Sequence, residues 1–154
     1  MPEAKPGGNP SAPRQIRRSA QGEQPEESPA PQEKVFFSFG SASGFFSVCA
    51  GAFGAHALKA KLSQEMLAVF ETGVRYQLAH ALVLLILPWA LSRFHPVLVR
   101  RAGWFFMAGS VIFSGSLYLL VLTGVRIWGA VTPAGGLMLL AGWFLLFLSS
   151  LRSR

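Results

Sequence analysis

Aspartate is absent from this chain, and acids of any kind are scarce: seven glutamates stand against fourteen lysines and arginines in 154 residues. Charged residues make up 14% of the sequence. An ordinary soluble domain carries roughly 25%, so this chain is too poor in charge to cover a water-facing surface. A soluble enzyme built around one hydrophobic core is thereby excluded. Cysteine occurs once, as Cys49, which excludes a disulfide scaffold. After residue 34 the only acids are Glu65 and Glu71, too few for a paired-carboxylate or two-metal enzyme. The patterns HExxH, CxxC, Walker A and GxSxG do not occur, so neither a metal nor any other cofactor is expected, and the chain reads as non-enzymatic.

What is present is apolar: 51% of the residues are hydrophobic, and mean hydropathy is +0.41. Residues 1–34 hold five basic residues and five glutamates, so the net charge of +7 belongs to the rest of the chain. There the basic residues sit in short gaps between apolar runs, not in a stripe along one face. That arrangement suits anionic lipid headgroups and the cytoplasmic side of a bilayer, and no nucleic acid partner is expected.

Seven of the ten prolines fall within residues 1–34, among Gly, Ser, Gln and Glu. Such a segment buries too little apolar area to offset its ordering entropy, and it is expected to be a disordered tail. It does not read as a secretory signal, because no apolar stretch follows Arg14, Arg17 and Arg18.

Four runs free of Lys, Arg and Glu follow, at 35–58, 76–92, 102–125 and 127–151. A helix needs about 20 apolar residues to cross a hydrocarbon core of roughly 30 Å. Three runs meet that length, and the second meets it if its helix begins near Thr72. The expected fold is therefore all-α: an integral membrane four-helix bundle at 35–151, with spans of about 35–57, 73–92, 102–123 and 133–151. Thr132-Pro133 reads as an N-cap and first helical residue, and Thr123-Gly124 as the end of the third helix. Ser63 before Gln64 and Glu65 is another start. Leu62, Met66, Val69, Phe70 and Gly73 keep helical spacing, which predicts an amphipathic lead-in at 63–72 lying along the interface. Trp89, Trp104 and Trp128 flank the basic gaps, as an aromatic belt requires. Pro88 leaves the carbonyl of Leu84 without its donor and predicts a bend in the second helix.

Small residues mark candidate packing faces: Gly40, Gly44, Ser47, Gly51 and Gly54 on the first span, Ser110 and Ser114 on the third, Gly135 and Gly142 on the fourth. Cys49 reads as one more small packing residue. Polar residues near the membrane are few: His56, Glu71, Arg75, Tyr76, Gln77 and His80. Glu71 and Arg75 are four apart with the acid first, the favourable order for a helical ion pair, and Tyr76 and His80 are also four apart. Ionisable groups at membrane depth are costly and usually face the bundle interior. His56, Glu71, Arg75, Tyr76 and His80 therefore form the candidate polar cluster, either a proton- or ligand-handling site or an interfacial salt bridge with backbone-bonded histidines. His56 and His80 sit at different depths, which does not suit a shared metal.

The stretch AGAFGAHALKAKLSQEMLAVFETGVRYQLAHAL (50–82), with FSGSLYLL (113–120) and TPAGGLMLLAGW (132–143), closely resembles a family of small four-helix membrane proteins, domain of unknown function 423, to which the animal transmembrane protein 256 is related. The resemblance covers roughly residues 36–150, and the proline-rich tail departs from it. It implies the four-helix architecture and a bacterial inner-membrane setting. It supplies no catalytic residue, since the family carries no established activity. Two function classes stay open. One is a non-enzymatic membrane protein, packed in the lipid bilayer with itself as a homo-oligomer or with a membrane protein partner. The other is a small transporter or proton-coupled carrier using Glu71, Arg75 and His80. Lys34, Arg93, Arg100, Arg101, Arg152 and Arg154 on one side, against Lys59, Lys61 and Arg126 on the other with Arg75 at the helix entrance, predict cytoplasmic N- and C-termini.

Overall fold

The computed structural model describes residues 31–152, so the expected tail lies outside them except for its last four positions. Those four, Pro31 to Lys34, form the first turn of a helix. The elements are α1 (Pro31–Phe53), continued by a π-helical turn (Gly54–Leu58), α2 (Gln64–Arg93), α3 (Pro96–Thr123) and α4 (Ile127–Leu151). No strand occurs among the described residues. Each of the four helices is long and apolar enough to cross a membrane.

The helix ends follow local chemistry. Ser63 adopts an extended backbone, and its Oγ accepts from the Met66 N–H at 3.2 Å, capping α2. Pro96 stands in the first turn of α3, where its missing N–H has no partner to lose. Gly124 ends α3 at φ 70°, a left-handed conformation that favours glycine, and its N–H reaches the Leu120 carbonyl at 2.9 Å.

Every helix begins before its expected span, α1 at Pro31 and not 35, and α3 at Pro96 and not 102, and two of the differences have a clear cause. The fourth helix starts at Ile127, not at Pro133, and Pro133 is interior. Residues 127–131 are apolar, and a non-helical backbone in hydrocarbon would leave its polar groups unpaired. Thr132, read as a cap, instead donates its hydroxyl to the Trp128 carbonyl at 3.3 Å. The second difference is the lead-in at 63–72, which is the start of one unbroken 30-residue helix, about 45 Å long at 1.5 Å per residue. Its apolar stripe is not spread on headgroups. Leu62, Met66, Val69 and Phe70 pack with Leu58, Val121 and Tyr118, which closes that end of the bundle.

Neighbouring helices run antiparallel. Gly40 and Gly51 of α1 and Gly54 of the π-helical turn meet Ala81, Val74 and Phe70 of α2, in reverse order; Phe106, Gly109 and Phe113 of α3 meet Gly142, Leu139 and Gly135 of α4 in the same way. Between α2 and α3, Gly73 faces Tyr118, and Tyr76 faces Phe113. The central pair is α2 and α3, with α1 on α2 and α4 on α3; the backbones of α1 and α4 are not adjacent. The larger core, around Phe36, Leu84, Leu87, Val99, Phe106 and Leu139, lies toward the end where α1 begins. The outer surface is apolar, with Phe45, Ile86, Val111, Leu137 and Phe144 each more than half exposed, which suits lipid.

The small residues sort unevenly. A Cβ on Gly40 would stand 2.9 Å from the Ala81 carbonyl oxygen, one on Gly142 would meet the Phe106 ring at 2.7 Å, and one on Gly135 would press into the Phe113 backbone. Gly54 lies close to the Phe70 ring. Gly44 and Gly51 have ordinary room, with nearest atoms at 3.9 and 3.4 Å. Three close approaches had not been singled out from the sequence: Gly73 on Tyr118, Gly103 on Phe36 and Gly109 on Leu139.

Candidate functional site: a polar seam on α2

α2 carries Gln77 and His80, one turn apart and near the middle of the bundle. Glutamine and histidine at this depth need partners, because lipid offers none. His80 is 5% exposed. Its Nδ1 lies 2.7 Å from the Tyr76 carbonyl oxygen, and Trp143 Nε1 of α4 lies 3.2 Å from its Nε2. A carbonyl can only accept and an indole N–H can only donate. The ring is therefore assigned as the neutral tautomer with its proton on Nδ1. Phe106 packs on both rings, with centroids 5.6 Å from His80 and 5.3 Å from Trp143. Tyr76 is stacked on Phe113 at 4.5 Å and is partly open to the outside.

Gln77 works toward the other side of α2. Its Nε2 donates to the Ser43 carbonyl of α1 at 3.2 Å, and its Oε1 accepts from the Tyr118 hydroxyl of α3 at 2.8 Å. One amide thus joins three helices. Nearby, the Ser47 hydroxyl donates to the Val74 carbonyl at 2.9 Å, and the Ser116 and Thr132 hydroxyls share a bond of 2.8 Å between α3 and α4.

The five candidate residues are only partly brought together. Tyr76 and His80 share one face. His56 is exposed in the π-helical turn, and Glu71 and Arg75 are exposed at the start of α2. Arg75 Nε donates to the backbone carbonyl of Glu71 at 3.3 Å, not to its carboxylate. Both residues border a cleft of about 180 Å³ beside Gly51 and Gly54. Among the described residues, no group of three or more His, Cys, Asp or Glu side chains is placed to hold a metal ion. Both His80 ring nitrogens are engaged, Nδ1 with the Tyr76 carbonyl and Nε2 with the Trp143 N–H.

Gln77, Tyr118 and Trp143 were not among the candidate residues. The readable signal was Gln77 itself, a polar residue at depth three positions before His80. Its partner on α1 is a backbone carbonyl, which leaves no trace in residue type.

The family described as a protein of unknown function (DUF423) has a profile that matches residues 50–136. Similar proteins include a UPF0382 membrane protein of Staphylococcus haemolyticus, 45% identical over 119 residues, covering 77% of this chain and 97% of the relative. The UPF0382 membrane protein YwdK of Bacillus subtilis is 38% identical over 120 residues, covering 77% and 98%. The UPF0382 inner membrane protein YgdD of Escherichia coli is 40% identical over 114 residues, covering 74% and 87%. No solved structure matches. The profile match and this degree of identity over most of each relative, in a chain with four helices able to cross a membrane, lead to one assignment: the chain belongs to the DUF423, or UPF0382, family of multi-pass membrane proteins.

Proposed function

We propose that this chain is a non-enzymatic module of the bacterial cytoplasmic membrane that works by packing with a second copy of itself or with another membrane protein. The observation that carries this reading is the use made of its interior polar groups. Gln77, His80, Ser47 and Ser116 are bonded to other helices or to the backbone, so the polar seam holds the bundle together. The ionisable residues His56, Glu71 and Arg75 are exposed at one end, away from buried His80, which favours a packing role over a proton-coupled carrier. In this reading the end bearing Lys34, Arg93, Arg100, Arg101 and Arg152 faces the cytoplasm.

Cys49, exposed on α1, gives a native handle for the test. Bifunctional maleimides of graded length, applied to membranes, are expected to trap the chain in a discrete larger species that persists on dilution of the membranes with lipid. A chain that stays monomeric in lipid nanodiscs, and drives saturable solute uptake coupled to a proton gradient in liposomes, would overturn the reading.

A further inference from the structure

α2 and α4 run in the same direction on either side of α3, and their backbones are not adjacent. The bond between His80 and Trp143 joins them near the middle of the bundle. Between that bond and the ends of both helices lies a groove of about 450 Å³. Ile86, Leu87 and Ala90 of α2 form one wall, and Leu146, Phe147 and Ser150 of α4 form the other, each set at helical spacing. Leu87 and Ala90 are buried at the base. Ile86, Trp89 and Phe147 are more than half exposed along the rim, so the groove opens sideways to the bilayer.

Its width and lining decide what it takes. From Trp143 to Ser150, α4 rises about 10 Å. A volume of about 450 Å³ over that length leaves a section of roughly 45 Å², about half that of a helix some 10–12 Å across. The groove is therefore too narrow to seat another helix and suits an acyl chain. Its lining is apolar, and the Ser150 hydroxyl is already donated to the Phe147 carbonyl at 2.7 Å. Charge lies at one end only. Ile86, Ala90 and Arg93 follow at spacings of four and three, so Arg93 continues the α2 wall at the mouth, and Arg152 stands two positions past Ser150; both are exposed. Each helix C-terminus carries about half a negative charge, which one guanidinium outweighs. The acids among the described residues are Glu33, Glu65 and Glu71. The last two stand at the opposite end of the bundle, and Glu33 lies beside Pro88 on the other flank of α2. A headgroup at the mouth thus meets cations and no carboxylate that would receive an ammonium.

We propose that the groove between α2 and α4 binds a phospholipid of net negative charge, of the phosphatidylglycerol kind. One acyl chain lies along the groove toward Trp143, and the phosphate is held at the mouth by Arg93 and Arg152.

The test is thermal unfolding of the full chain in neutral detergent micelles, titrated with dioleoylphosphatidylglycerol. Three comparisons separate its parts: dioleoylphosphatidylethanolamine adds an ammonium, dioleoylglycerol has the chains alone, and glycerol phosphate has the headgroup alone. Phosphatidylglycerol is expected to raise the melting temperature saturably, as a ligand of the folded state does, and the comparisons are not. Arg93→Gln, at an exposed position, should weaken that response about tenfold, the loss of one charge-assisted hydrogen bond. Arg101→Gln removes the same charge from an exposed position on α3 that does not line the groove, and it should leave the response intact. Ser150→Trp, on the groove wall near the mouth, should abolish the response by obstructing the chain. No saturable rise with phosphatidylglycerol, or an equal rise with any of the three comparisons, would overturn the assignment. So would an equal response of the two arginine variants, which marks diffuse attraction, or an undiminished response in Ser150→Trp.

Discussion

At the scale of single residues, the account turns on which polar side chains have partners in the bundle. His80 and Trp143 do, across 3.2 Å between α2 and α4. Hydrogen bonds between membrane helices average about 0.6 kcal/mol and reach about 1.7, because the separated helices also find partners. Trp143→Phe keeps the ring against Phe106 and gives up only that bond. It should lower stability by about 0.5–1.5 kcal/mol, read by reversible unfolding in mixed micelles. Arg75 is the contrast. It is exposed and bonded to a backbone carbonyl, so Arg75→Met, and the double change with Glu71→Gln, should each stay within about 0.5 kcal/mol of the native chain. A loss above about 2 kcal/mol on Arg75→Met, restored by the second change, would mean a desolvated ion pair instead. The sequence placed Tyr76 with His80 and Glu71 with Arg75 through the four-residue spacing. It could not say which face turned inward, since Trp143 stands 63 positions from His80 and Tyr118 stands 41 from Gln77.

At the scale of helices, close approach at glycine sets how α3 and α4 meet. Gly135 lies against the Phe113 backbone, so a methyl group there must push two main chains apart. Gly115 has nothing within 4 Å of the place its Cβ would take. Gly→Ala in an open helical position stabilises by roughly 0.5–1 kcal/mol. Gly115→Ala should therefore leave the melting temperature unchanged or raise it, whereas Gly135→Ala should lower it by several degrees. Gly44→Ala should be tolerated, because its neighbour is 3.9 Å away. Equal melting temperatures for the alanine variants at 115 and 135 would remove glycine contact as the determinant of this crossing. The helices themselves were legible. Apolar runs gave four spans, and Ser63 and Gly124 marked ends through their own backbone chemistry, whereas the start of the third helix at Pro96 was not read. Motif spacing named Gly40, Gly135 and Gly142 but missed Gly73, Gly103 and Gly109, because a close approach depends on the opposing ring or backbone and not on a partner glycine four residues away. The false start at Thr132-Pro133 has a similar origin. A proline that would begin a helix in water can lie within one in lipid, where leaving the helical form costs more than one lost donor.

At the scale of the whole molecule, four antiparallel helices put the start of α1 and the end of α4 on the same side, with α1 and α4 apart and the α2–α3 pair between them. Reporter fusions after Lys34 and Arg154 should both be active in the cytoplasm, and activity of either one outside would contradict the orientation drawn from the basic residues. The central claim is that the polar interior serves to join helices, and Gln77 joins three of them. A double-mutant cycle on Gln77→Leu and Tyr118→Phe, measured by reversible unfolding in lipid, tests this most directly. The account predicts a loss of about 1–3 kcal/mol for Gln77→Leu alone, since the Tyr118 hydroxyl then lacks its acceptor. It also predicts that the double variant loses less than the two single losses combined, by about 0.6 kcal/mol or more. Losses that add to within about 0.3 kcal/mol would contradict it.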